Sequence, residues 1–325
     1  TVDYYLHLLE GIPHRHARDR LTLLSCHDHS DEPLSAKLLR RPRLMQRIRD
    51  ALVQPDLAHM ACFTVTELER RVALELDIPV YGCDPDLLPL GSKSGSRKLF
   101  REAGVAMPDG AEDLHTEEEI AAALLDLRTR DPEIRRAVVK LNEGFSGEGN
   151  AVFSFADAPS GEALEAWISR RLPALDFEAH DMDWDVFRAK IADMGGIVEA
   201  FVDGEDKRSP SAQFRIDPSG YVEPISTHDQ VLGGQTGQEF LGARFPADEG
   251  YRLEIQAEGL KAAEALAAHG VLGRFGVDFI SVRDGAGWKH QAIEINLRKG
   301  GTTHPFIMLQ YLTSGAYDSA TGLFN

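Results

Sequence analysis

The chain has no Cys-x-x-Cys pair and only three cysteines, Cys26, Cys62 and Cys83. Neither a zinc ribbon nor a disulfide frame is expected, and the odd count points to reduced thiols in a cytoplasmic protein. No apolar run approaches the ~18 residues of a membrane span, and no stretch is built like a signal peptide, so no membrane partner is expected. Basic residues are scarce: 35 Lys and Arg stand against 52 Asp and Glu, a formal charge of −17. That balance argues against a nucleic-acid partner, which needs a basic footprint. A small polyphosphate stays open, but only where cations gather locally. There is no Gly-Lys-Ser/Thr of a Walker A loop, no internal repeat and no low-complexity segment. An initiator Met is absent too, and "TVDYYLHLLEG" opens in mid-element, so a missing start is expected.

The apolar fraction of 43% and charged fraction of 27% are those of an ordinary globular protein, and 325 residues suffice for two or three cores. In the first ~90 residues, "RLTLLSC" (20–26), "AHMACF" (58–63) and "IPVYG" (78–82) have strand length and composition. Between them lie a helical stretch broken at Pro42 and a Thr-capped helix with Leu68, Val72 and Leu76 inward. That alternation predicts a Rossmann-like α/β unit. The Pro, Gly and Ser of "CDPDLLPLGSKSG" mark a boundary near residue 90. Beyond it the pattern gives two helices, strands "AVVKL" and "NAVFSF" around a glycine-rich turn, a helical stretch over 160–195, and strand "GGIVEAFV". The last third alternates strands with one long helix, "GYRLEIQAEGLKAAEALAAHG".

Four segments carry chemistry. In "AVVKLNEGFSGEGNAVF", Lys140 stands near a strand end before a loop with Gly144, Ser146, Gly147 and Gly149. Such glycines let backbone N–H groups crowd a phosphate that an ammonium neutralises; a plain flexible hairpin tip is the alternative. Lys93, just ahead of a helix, suits the far side of the same polyphosphate, or decorates the surface. In "GGIVEAFVDGED", Glu199 ends an apolar strand whose backbone could meet an adenine edge, with acids beyond it for ribose hydroxyls; a solvated turn is the bland reading. Finally, "RFGVDFISVRDGAGWKHQAIEINLR" reads as an antiparallel hairpin about Asp284-Gly285. It brings Asp278 to Glu294 and Asn296 at one mouth, the hard-oxygen set that Mg²⁺ prefers beside phosphates. Alternation puts Ile293, Ile295 and Leu297 on one face of the second strand and Glu294, Asn296 and Arg298 on the other.

In that order, Lys93, Lys140 with its glycine loop, Glu199, Asp278 and Glu-x-Asn resemble the ATP-grasp superfamily. "LGSKSGSRKLF", "NEGFSGEGNAVF" and "EINLRKGGTTHPF" are similar to the pheganomycin-type peptide ligases, a likeness that covers nearly the whole chain. The resemblance implies an α/β (α+β) fold: a Rossmann-like pre-ATP-grasp domain over 1–90, a central and lid domain over 91–200, and a C-terminal ATP-grasp domain over 201–325. Members of the family continue past "ATGLF", so a further C-terminal segment is expected. Lys93 and Lys140 would hold ATP phosphates under the 144–149 loop. Glu199 and Phe201 would meet adenine through backbone, and Asp206 the ribose. Asp278, Glu294 and Asn296 would bind one or two Mg²⁺. Arg298 would face the transferring phosphoryl group and the oxyanion that follows. Gly300, Gly301 and Thr302, with Thr303 and His304, would line the acyl side, with His228 and Arg215 as looser substrate or phosphate contacts.

The implied reaction joins a small carboxylic acid, amino-acid-like or guanidino-bearing, to the amine of an amino acid or peptide through an acyl phosphate, with release of ADP. A nucleotide-binding sensor or scaffold, and a grasp enzyme that stops at phosphorylation, are the competing readings. No general base for the amine stands out. A homodimer is compatible with the sequence, which does not fix oligomeric state. His27 and His29 beside Cys26 form a polar loop, since zinc draws on ligands from separated segments.

Overall fold

A computed structural model describes residues 2–144, 149–159, 161, 163–204, 206–233 and 239–325, so Ser146 and Gly147 of the glycine-rich loop lie outside the described residues. The chain opens with four short helices, α1 (Val2–Leu6), α2 (His14–Asp19), α3 (Leu34–Leu39) and α4 (Pro42–Ala51). Pro42 sits in the first turn of α4, where its missing N–H costs nothing. Helix α5 (Glu67–Leu76) starts at a capping box: Leu68 N–H donates to Thr66 Oγ1 at 3.2 Å and Thr66 N–H to Glu69 Oε2 at 2.8 Å. Its inward face buries Val72 and Leu76.

Of the three strands expected in this region, two survive as one parallel bridge, Met60 to Val80, with Met60 N–H on Pro79 O and Tyr81 N–H on Met60 O, both 2.8 Å. With α5 between them they make a minimal strand–helix–strand step. The stretch 20–26 forms no strand. Leu24 and Cys26 turn toward α3 and α4, while Leu21 and Leu23 stay 40% and 59% exposed. Its period-two alternation is real, but among the described residues no neighbouring strand supplies the ladder that β-structure requires.

Helix α6 (Lys93–Ala103) is capped by Ser92, whose Oγ accepts Gly95 N–H at 3.0 Å, and ends at the left-handed Gly104. Behind it lies an antiparallel five-stranded sheet built from β1 (Gly110–Leu114), β2 (Arg136–Leu141), β3 (Asn150–Ser154), β4 (Asp176–Phe177) and β5 (Gly196–Ala200), in the order β1-β5-β2-β3-β4. Helices α7 (Glu117–Arg130), α8 (Ala163–Arg171) and α9 (Trp184–Met194) supply Leu124, Ile168 and Phe187 to a core shared with Val139 and Val198.

A second sheet has six strands: β6 (Lys207–Arg208), β7 (Pro210–Ile216), β8 (Val222–Gly233), β9 (Glu239–Arg244), β10 (Gly273–Asp284) and β11 (Gly287–Asn296). Its order is β11-β10-β7-β8-β9, with β6 on β10. Helix α10 (Arg252–Ala268) covers one face, where Ile255, Ala262 and Leu266 pack with Phe214 and Phe275. Helix α11 (Thr303–Thr313) and the pair β12 (Tyr317–Asp318) and β13 (Leu323–Phe324) complete the chain. Along β7, Ala212, Phe214 and Ile216 are fully buried under α10, so period two sends Ser211 and Gln213 to the opposite face.

Helix α6 joins the two sheets. Ser94 N–H and Oγ both donate to Asn142 Oδ1, at 3.0 and 2.7 Å, just past β2. Ser96 Oγ accepts Ile295 N–H of β11 at 3.0 Å. Lys93 is thereby fixed between them.

Candidate active site

The open faces of the two sheets enclose a cleft of about 560 Å³. Its floor is a set of cross-strand rows. One row runs Ser211, Asp278, Glu294 across β7, β10 and β11, and the next runs Gln213, Gly276, Asn296. The expected hairpin thus sets Asp278 directly opposite Glu294. A bulge in β11 beside Phe279 leaves Ile293 as the extra residue. Ile293, expected to face away with Ile295 and Leu297, instead lines the cleft beside Glu294, while Ile295 and Leu297 are buried. Such bulges re-aim side chains where a regular strand would turn them away.

Two side chains hold Asp278. Ser211 Oγ donates to its Oδ1 at 2.6 Å and Asn296 Nδ2 to its Oδ2 at 3.0 Å, while Arg298 Nη2 donates to Asn296 Oδ1 at 3.0 Å. Burial, and then the charge of Glu294, push the Asp278 carboxyl up to about 7, against the Ser211 hydrogen bond and the Arg298 charge. Burial would raise Glu294 as well, but Lys93, Lys140 and Arg298 outweigh it and hold Glu294 below the usual range. Lys93 Nζ lies 3.5 Å from Glu294 Oε2. On the other sheet, Lys140 pairs with Glu199, and both are buried. Arg97, 2% exposed and one turn along α6 from Lys93, reaches Glu199 at 3.5 Å, Glu112 at 3.2 Å and Pro108 O at 2.9 Å.

Lys93, Lys140, Gly144, Gly149, Glu199, Phe201, Asp278, Glu294, Asn296, Arg298, Gly300, Gly301 and Thr302 all line this cleft. Asp206 does not: its carboxylate pairs with Arg208 at 3.0 Å, and the neighbouring Lys207 faces the cleft, its ammonium 4.7 Å from the Phe201 ring. His228 shares the row of Ser211 but is 3% exposed, packs against the Phe245 ring with Nδ1 unbonded, and does not line the cleft. Burial holds its pKa down at about 4. Arg215 pairs with Glu223 and does not line the cleft. Thr303 caps its own turn, its Oγ1 accepting Gly300 N–H at 3.0 Å, and the His304 ring stacks on Phe63. A Cβ on Gly301 would meet the Phe240 ring at 3.0 Å, tighter than ordinary contact; at Gly300 nothing lies nearer than 3.9 Å.

Arg97, Lys207, Ser211, Gln213 and Ile293 were not expected in this neighbourhood. The first was legible as the i+4 partner of Lys93, and Ser211 and Gln213 as the polar half of the alternating "SAQFRI". Outside the cleft, Ser281 Oγ, His290 and Glu254 line up at 2.7 and 3.0 Å like a nucleophile relay. Ser281 is fully buried, so the relay ties β10 and β11 to α10 and meets no substrate.

Could the site hold a divalent cation? Two opposed carboxylates whose mutual repulsion raises one of them form a set that a cation would relieve. Among the described residues no three His, Cys, Asp or Glu side chains gather as a metal site. The pair therefore suits Mg²⁺, which takes one or two carboxylates and completes its shell from substrate phosphates and water.

Two sheets gripping a cleft that combines lysines on one wall with a carboxylate pair on the other define the ATP-grasp fold. The chain matches the family described as IQCH-like, ATP-grasp over residues 89–171 and 161–320, and belongs to it. It is 33% identical over 295 residues to L-propargylglycine–L-glutamate ligase of Streptantibioticus cattleyicolor, covering 88% of this chain and 57% of that protein. It is 25% identical over 319 residues to IQ motif-containing protein H of Danio rerio, covering 88% of this chain and 30% of that one. The chain thus spans about half or less of the length of these relatives. Among solved structures, the biotin carboxylase domain of Hydrogenobacter thermophilus 2-oxoglutarate carboxylase, in complex with MgADP, ADP and bicarbonate, shares the fold. Its TM-score is 0.57 at 19% identity, over 86% of this chain and 55% of that one.

Proposed function

We propose that this protein is an ATP-dependent carboxylate–amine ligase that activates an amino-acid-like carboxylate as an acyl phosphate and joins it to the amine of an amino acid or peptide. The convergence of Lys93, Lys140, Asp278, Glu294 and Arg298 on one cleft carries the reading, and the name of the Streptantibioticus relative supports an amino acid on each side of the new bond. Residues 1–90, 91–200 and 201–325 would act as pre-grasp, central and lid, and C-terminal parts.

Val138, Val202, Ile280 and Ile293 would sandwich the adenine, with Glu199 and Phe201 meeting its edge through backbone. Lys207, which lines the cleft where Asp206 does not, would be the side chain to reach the ribose. Lys93 and Lys140 would take phosphate oxygens, and Gly144 and Gly149 would let their own backbone come close. Asp278, Glu294 and Asn296 would hold one or two Mg²⁺; with its amide turned, Asn296 offers oxygen to the same cation. The cation would neutralise charge on the bridging phosphates when bound. The acid's carboxylate attacks the γ-phosphorus, ADP leaves, and the amine then displaces phosphate from the acyl carbon. Arg298 keeps a planar, permanent charge beside both the transferring phosphoryl group and the later oxyanion.

The test is ADP release over a panel of L-amino acids offered as acids and as amines, with product masses. ADP that requires both partners, with a product at the mass of the amide, is expected. Arg298→Ala should cut turnover by about 10²-fold or more while Mg·ATP still binds. ADP formed equally without acid contradicts the reading. The competing reading, ATP binding without ligation, predicts tight Mg·ATP binding with no product across the panel.

A further inference from the structure

Gln213 lies on the cleft floor from β7, across Gly276 of β10. A Cβ on Gly276 would meet its Nε2 at 2.5 Å and its Oε1 at 3.0 Å, so the glycine is what lets the side chain lie flat across the sheet. The hydrogen bonds orient its amide. Ser211 Oγ donates its one proton to the Asp278 carboxylate at 2.6 Å, so Ser211 can only accept from Gln213, whose Nε2 stands 2.8 Å away. With its nitrogen committed there, the Gln213 oxygen is turned the other way, toward Gly300. A Cβ on Gly300 would lie 3.9 Å from that oxygen, and no hydrogen bond to it is made among the described residues. The acyl side of the cleft therefore holds a strong donor, Arg298, and a neutral acceptor with a fixed direction.

Resting on the ligase reading above, we infer that Gln213 binds the incoming amine, its Oε1 accepting an N–H of the nucleophile so that the nitrogen lone pair faces the acyl carbon. In that step the amine nitrogen forms the C–N bond and the C–O bond to phosphate breaks with its electron pair. One N–H proton goes to the departing phosphate, which is released as HPO₄²⁻, so the acyl phosphate and amine give amide and phosphate with no further reactant. Gln213 is not basic and takes no proton; it selects a nucleophile that has an N–H to give.

The test separates the half-reactions. Hydroxylamine traps the acyl phosphate as a hydroxamate without needing an amine site, whereas the panel of L-amino acids reports amide formation. Gln213→Met keeps the volume and removes the acceptor, together with the N–H donated to Ser211. It should raise the KM for the amino-acid amine about fivefold or more, the loss expected for one neutral hydrogen bond, and lower amide formation more than the acid-dependent hydroxamate rate. An unchanged shift of the thermal midpoint by Mg·ATP confirms that the variant folds and binds nucleotide. Equal loss of hydroxamate and amide, or an unchanged amine KM, overturns the inference alone. Absence of hydroxamate from the wild-type protein overturns the ligase reading and the inference with it. Wild-type hydroxamate without amide across the panel overturns the inference.

Discussion

Asp278 and Glu294 oppose each other across β10 and β11, and their like charge governs how the cleft responds to pH. The Asp278 carboxyl moves from 3.8 up to about 7, first through burial and then through Glu294. Between those values the folded protein keeps a proton that the unfolded chain has lost. Metal-free stability from this group is therefore full at the acid end and disappears as pH rises through about 7. Thermal melts of the metal-free protein should fall from about pH 5.5 to about pH 8 relative to Asp278→Asn, which lacks that component. Added Mg²⁺ should raise the wild-type midpoint more at the higher pH, because there it need not displace the proton. An equal Mg²⁺ shift at both pH values contradicts this. The residue types of this pair, and their meeting on one hairpin, are legible in the sequence. The placement of Ile293 is not, because a bulge depends on the partner strand and leaves the local pattern unchanged.

Helix α6 is the element on which the cleft depends, since it carries Lys93 into the cleft and Arg97 beneath it. Arg97 lies between Glu199, which pairs Lys140, and Glu112, so it links the helix to both β1 and β5. Arg97→Met should cost about 3 kcal/mol in urea unfolding, because it leaves buried carboxylate charge short of a partner. A loss under about 0.5 kcal/mol would place Arg97 outside the structural network. At this scale the sequence is informative where the period agrees with a cap or a turn, as in α5, α6 and the β10–β11 hairpin. It is silent on β1, whose "GAEDL" is polar and becomes a strand only by pairing with β5. It is silent also on α11, where Pro305 and an apolar composition all round hide the helical period. The stretch 20–26 errs the other way, since alternation alone cannot supply a partner strand.

For the whole molecule, a net charge of −17 and a polyphosphate-sized cleft are reconciled by concentrating cations locally. Lys93, Lys140, Lys207 and Arg298 face a space that Asp278, Glu294 and Glu199 only partly neutralise. Among the described residues no helix is long and apolar enough to cross a membrane. The ordered series of Lys93, Lys140, Glu199, Asp278 and Glu-x-Asn was readable along the chain, but their meeting needed two sheets and a bridging helix, which sequence spacing does not encode. The most direct test of the central claim follows oxygen. An L-amino acid that the protein accepts as the acid is labelled with ¹⁸O in its carboxylate and supplied with Mg·ATP and an amine. The mass of the released phosphate is then read. Ligation through an acyl phosphate predicts phosphate carrying one ¹⁸O together with ADP; unlabelled phosphate accompanying the amide would contradict it.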